Sequence, residues 1–122
     1  MHQPRNFIYV LVLATILAVS PDRAWAHAII VESTPKMNGM ITEPLLKVKL
    51  RFNSQIDDSR SKLTLVSRDG TSHAMKLSQQ TSPDLLLAEV PNLHPGKYQL
   101  HWQVLASDGH ITRGSIPFSV VL

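Results

Sequence analysis

The chain contains no cysteine, which excludes a disulfide-stapled scaffold and every thiolate metal site. Packing alone must hold such a domain together, and any metal ion has to be taken by His, Asp, Glu, Met or a terminal amine. Aromatic residues make up only 6% of the chain, and its lysines and arginines are scattered. The clustered basic residues with aromatic interleaving that mark a nucleic-acid surface are therefore missing, and nucleic acid is not an expected partner. Internal repeats and low-complexity tracts are absent. No apolar run reaches the about 20 residues that a transmembrane helix needs.

The longest apolar run lies at the beginning. Residues Met1 to Asn6 carry Arg5 and no acid, Phe7 to Val19 carry no charge, and Ser20 to Arg23 lead into Ala24-Trp25-Ala26, with small residues at the −3 and −1 positions that a signal peptidase reads. This pattern predicts a secretory signal over residues 1–26, cleaved after Ala26. An uncleaved anchor or a buried hydrophobic helix is the bland alternative. Cleavage leaves 96 of the 122 residues, with 10 Lys and Arg against 8 Asp and Glu. That is enough for one small domain, residues 27–122, of mildly basic charge.

Cleavage would also make His27 the first residue of the mature chain. An N-terminal histidine offers its α-amine and its own ring nitrogen to one metal ion as a chelate. The amine has an ordinary pKa of about 7.7 to 8.0, so a metal can displace its proton at neutral pH. Internal histidines cannot do this.

The mature chain alternates with period two. Ala28 to Val31 is a short apolar run, closed by Pro35 and Asn38-Gly39. Leu46, Val48, Leu50 and Phe52 face one way while Lys47, Lys49 and Arg51 face the other, as a half-buried antiparallel strand requires. Asn53 to Ser59 reads as a polar loop around Ile56. Leu63 and Leu65 alternate with Lys62 and Thr64 before the Arg68-Asp69-Gly70-Thr71 turn and a strand over Ala74 to Leu77. Leu85 to Val90 is a further strand. Tyr98, Leu100, Trp102 and Val104 then point inward, and Ile116, Phe118 and Val120 form the last inward face. About seven short strands with regular turn signals and no convincing helical period predict an all-β, Greek-key β-sandwich or small barrel. Only the stretches near Met37 and Gln79 leave room for a helical turn.

One turn carries chemistry. Ser107-Asp108-Gly109-His110 is what a tight hairpin asks for, and it also presents a carboxylate and an imidazole two residues apart. With the His27 amine and ring, the His110 ring and the Asp108 carboxylate, the chain has a nitrogen and oxygen set suited to one Cu(II), which heads the divalent affinity order. Zinc would accept the same atoms tetrahedrally. His73 and Met75, and the pair Met37 and Met40, could touch a softer ion. The plainer reading makes the first two exposed hairpin residues and the other two fillers of irregular core space. His94 and His101 read as surface residues, and the Lys47, Lys49, Arg51 face as a solvated one.

Taken together, several stretches resemble the CopC family of periplasmic copper-resistance proteins. They are the opening His27-Ala28 with Ser33-Thr34-Pro35, Leu50-Arg51-Phe52, Leu93-His94-Pro95-Gly96-Lys97-Tyr98, and Trp102 leading into Ser107-Asp108-Gly109-His110, Gly114 and Phe118. The resemblance covers nearly all of His27 to Leu122. It implies a cupredoxin-like or immunoglobulin-like sandwich in the periplasm, binding one Cu(II) at an N-terminal histidine brace. It implies His27 and His110 as ligands, with Asp108 as a weaker ligand or charge partner. It also implies a carrier that sequesters copper or hands it to an inner-membrane copper-transport protein of the CopD type; a monomer is expected.

Two departures stand out. Many members follow the Leu-x-Phe strand with Ser-Glu, whose acid lies near the copper, where this chain has Asn53-Ser54. The methionine-rich loop of some members is reduced here to His73 and Met75. Two other functions compete with the carrier, which is expected not to be an enzyme. A histidine brace also serves copper oxidases and monooxygenases, although 96 residues show no broad substrate platform. A metal-free structural sandwich would use Asp108-Gly109 only as a turn.

Overall fold

A computed structural model describes residues 28–122. Eight strands run through them: β1 (Ile30–Thr34), β2 (Gly39–Ile41), β3 (Leu46–Phe52), β4 (Ile56–Ser67), β5 (Ser72–Met75), β6 (Leu85–Val90), β7 (Gly96–Ala106) and β8 (Ile111–Val120). They form a three-stranded sheet in the order β1-β3-β6 and a five-stranded sheet in the order β2-β8-β7-β4-β5. All pairings are antiparallel except β2 with β8. Among the described residues there is no helix, and none long and apolar enough to cross a membrane.

The alternating residues do what period two demands. Leu46, Val48, Leu50 and Phe52 are all buried, while Lys47 is exposed. Against them, from the other sheet, stand Leu63, Leu65, Leu100, Val104, Ile116, Phe118 and Val120 in one continuous core. Two aromatic contacts reinforce it: Phe52 meets Trp102 edge-on at 5.4 Å, and Tyr98 stacks on Phe118 at 5.5 Å. Each fully buried large side chain contributes roughly 1.5–3 kcal/mol relative to exposure.

Four local expectations are corrected. β2 is an additional short strand, held at the β8 edge by parallel pairing with Phe118–Val120. The Asn53 to Ser59 segment is a loop only as far as Gln55. Ile56 is buried and pairs with Ala106, and β4 runs on through an irregularity between Asp57 and Lys62. The segments near Met37 and Gln79 are irregular rather than helical; the Gln80 amide nitrogen lies 3.1–3.2 Å from the carbonyls of Ile56, Pro83 and Leu85. Met37 and Met40, expected as core fillers, are 59% and 65% exposed.

The register decides which loops meet. Ile30 pairs with Phe52, so the start of β1 lies beside the end of β3. Ile56 pairs with Ala106, so the β3–β4 turn lies beside the β7–β8 turn. The beginning of the domain, residues 53–55 and residues 107–110 thus share one end of the sandwich.

Candidate metal centre

The β7–β8 turn is built by backbone hydrogen bonds. The N–H of Ala106 donates to the His110 carbonyl at 2.9 Å, and the N–H of Gly109 donates to the Ala106 carbonyl at 2.9 Å. Gly109 takes φ of 88°, a left-handed conformation in which glycine carries no steric cost. That reversal lets Asp108 fold over the residue two positions on. Its Oδ1 accepts the backbone N–H of His110 at 3.0 Å, and its Oδ2 lies 3.1 Å from His110 Nδ1.

Both carboxylate oxygens are thus turned toward His110. The Asp108 carboxyl is held below the ordinary carboxylate range, first by the His110 backbone N–H and then by the His110 ring, against a partial desolvation that opposes them. A carboxylate beside Nδ1 favours the imidazole tautomer that carries its lone pair at Nε2, one of the two ring nitrogens through which a neutral histidine ligates metals.

Of the residues expected at the site, Asp108 and His110 are brought together, and His27 lies outside the described residues. Among the described residues no three His, Asp or Glu side chains converge as a metal site. Ala28, next in sequence to His27, is 2% exposed and belongs to the core, so the chain enters the fold anchored at that point. Ile29 is fastened to the β3–β4 turn: its N–H donates to Asn53 Oδ1 at 2.8 Å, and its carbonyl accepts the Asn53 N–H at 2.9 Å. The same turn reaches the other loop, because the Ser107 N–H donates to the Gln55 carbonyl at 3.0 Å. Between them, Ser54 Oγ is buried with no hydrogen-bond partner among the described residues.

The other histidines among the described residues, His73, His94 and His101, lie apart from this end. His73 stands opposite Leu65 on β5 and lines a groove with Met75 and His94. The ring of His101 lies 3.0 Å from Gln99 Oε1. His94 supplies a backbone carbonyl that accepts the Tyr98 hydroxyl at 2.7 Å.

Known proteins are similar to this chain in sequence or in fold. A family model described as the CopC domain matches residues 30–121. Protein YobA of Escherichia coli strain K12 is 29% identical over 119 residues, covering 95% of each chain. Copper resistance protein C of Xanthomonas campestris pv. juglandis is 32% identical, covering 91% of each. The crystal structure of CopC from Methylosinus trichosporium OB3b aligns with a TM-score of 0.70 at 28% identity, over 77% of this chain and 93% of that one.

Proposed function

The chain belongs to the CopC family, and from that premise we propose that it is an exported, periplasmic carrier of copper that binds one Cu(II) per chain. In this reading, residues 1–26 are the signal, and the mature chain opens with His27. The ion is cargo rather than a resident catalyst. The His27 amine and ring chelate it, and the His110 ring supplies a third nitrogen. Asp108 acts mainly as the charge partner that orients His110, since both its oxygens are already turned toward that residue. The carrier is monomeric, and delivery is to a membrane copper-transport protein.

The observation that carries the reading is the Asp108–His110 pair, set at the same end of the sandwich as the first described residues. An aspartate engaging both the backbone and the ring of one histidine fixes that ring before any ion arrives, as outer partners of metal-bound histidines do. Three nitrogens in a tetragonal arrangement suit Cu(II). A chelate of amine and adjacent ring demands a free terminus, and that demand gives the test. Cu(II) titration of the chain beginning at His27 should show tight binding, weakened at least tenfold by one added N-terminal residue and by His110→Ala, but unchanged by His73→Ala. Equal, weak binding by the native and extended chains would overturn the reading. Intact-mass measurement of the exported protein fixes the terminus itself.

A further inference from the structure

We propose that Asn53 is the positioning residue for the N-terminal half of the copper site, and that the turn 53–55 is a strut holding the two halves in register. The inference rests on the reading of His27 and His110 as ligands. Asn53 engages Ile29 through both of that residue's backbone groups, the side-chain oxygen accepting its N–H at 2.8 Å and the Asn53 N–H donating to its carbonyl at 2.9 Å. Ile29 is two residues from His27, so this clamp, with the buried Ala28 between, sets the direction in which the chain leaves the fold toward the metal. Ile29 itself is 60% exposed, and its side chain contributes little hold of its own.

At the far side of the turn, the Gln55 carbonyl accepts the Ser107 N–H at 3.0 Å, three residues before His110. The strut is stiff because it is bracketed. The Phe52 N–H donates to the Asp84 carbonyl at 2.9 Å and the Ile56 N–H to the Pro83 carbonyl at 2.8 Å, and the Gln80 amide nitrogen lies 3.2 Å from the Ile56 carbonyl. Asn53 is exposed and Phe52 buried, so the asparagine adds no packing to the core. Its side-chain oxygen serves the Ile29 N–H.

The chemistry explains why an asparagine suits this place. A terminal amine is a ligand only if its lone pair can be turned to the ion, and it hangs from a backbone that nothing upstream restrains. Fixing the N–H and C=O of the residue two positions on removes most of that freedom before binding.

The test compares the mature chain with Asn53→Ala, which removes the side-chain acceptor, and Asn53→Asp, which keeps an acceptor oxygen in the same place. Cu(II) affinity, the electron paramagnetic resonance spectrum of the loaded protein, and amide exchange at Ile29 in the metal-free protein are read for each. The expected result is a loss of roughly 10- to 100-fold in affinity for Asn53→Ala, an altered nitrogen signature and faster Ile29 exchange, all restored by Asn53→Asp. If Asn53→Ala binds with native affinity and spectrum, the positioning role is overturned while the carrier reading stands. Equal losses in both variants also overturn it, since the acceptor would then be irrelevant. If the native chain binds no Cu(II) in a manner dependent on its free terminus, both readings fall together. Should Asn53→Ala fold poorly by circular dichroism, Asn53→Gln, which carries its oxygen one methylene too far, makes the same discrimination.

Discussion

Gly114 lies under Trp102. A Cβ built there would stand 2.3 Å from Cζ2 and 2.5 Å from Cε2 of the indole, which also meets Phe52 edge-on. The indole or the strand must shift to make room. Gly114→Ala should therefore destabilise the domain by about 1–3 kcal/mol, the range of an overpacked site, lowering the urea midpoint at unchanged slope. An unaltered midpoint would mean that Trp102 can slide aside. At this same scale, the candidate site was half legible in the sequence. Asp108-Gly109-His110 announces itself, because a tight turn and a ligand pair both depend on short-range spacing. Asn53 gives no such signal, since its partner Ile29 is joined to it by sheet register and not by proximity along the chain.

Among the strands, β4 shows how a polar stretch can belong to a sheet. Where its pairing with β7 is interrupted between Asp57 and Lys62, the Ser61 hydroxyl repairs the ladder, donating to the Asp57 carbonyl at 2.6 Å and accepting the Leu105 N–H at 3.1 Å. Asp57 in turn accepts both the N–H and the hydroxyl of Ser59. Ser61→Ala leaves two backbone groups without their partner in a largely buried spot and should cost about 1–3 kcal/mol. Denaturant unfolding measures the loss, and accelerated amide exchange at Leu105 locates it. This irregularity is also why the beginning of β4 reads as loop: a bulge breaks the period-two pattern by which β3 and β7 are recognised at once. β2 escapes notice for another reason. Its three residues carry a pattern too short to register, and they are strand only because Phe118–Val120 return beside them from the far end of the chain.

Across the whole domain, hydrogen bonds above all hold four of the described carboxylates ionised. The carboxyls of Asp57, Asp69, Asp84 and Asp108 all lie below their ordinary range. For Asp84 the cause is first the Ser82 hydroxyl and then Arg51, whose Nη1 lies 2.8 Å from Asp84 Oδ2 and which also reaches Glu32 from between the strands. A carboxyl that binds its proton less tightly when folded than when unfolded adds stability that is complete above the unfolded value, about 3.9, and fades as pH falls through the lower folded one. Stability should therefore hold from neutral pH down to about pH 4 and decline below it. Asp84→Asn should lower stability at pH 7 and make that acid limb shallower, as urea midpoints across a pH series would show. A limb of undiminished steepness would remove Asp84 from the account.

β2 has a further consequence. Beyond the three residues it covers, no other strand among the described residues pairs with Ile111–Ile116 on the side of β8 away from β7. Such an edge invites a strand from another chain. Here it is broken by Pro117, which has no N–H to give and whose carbonyl is taken by Asn38 at 2.7 Å, and it carries Arg113, a charge of the kind that discourages edge-to-edge growth. The short parallel strand and the proline beside it therefore act on colloidal behaviour: they help keep concentrated, freshly folded chains from zipping into one another.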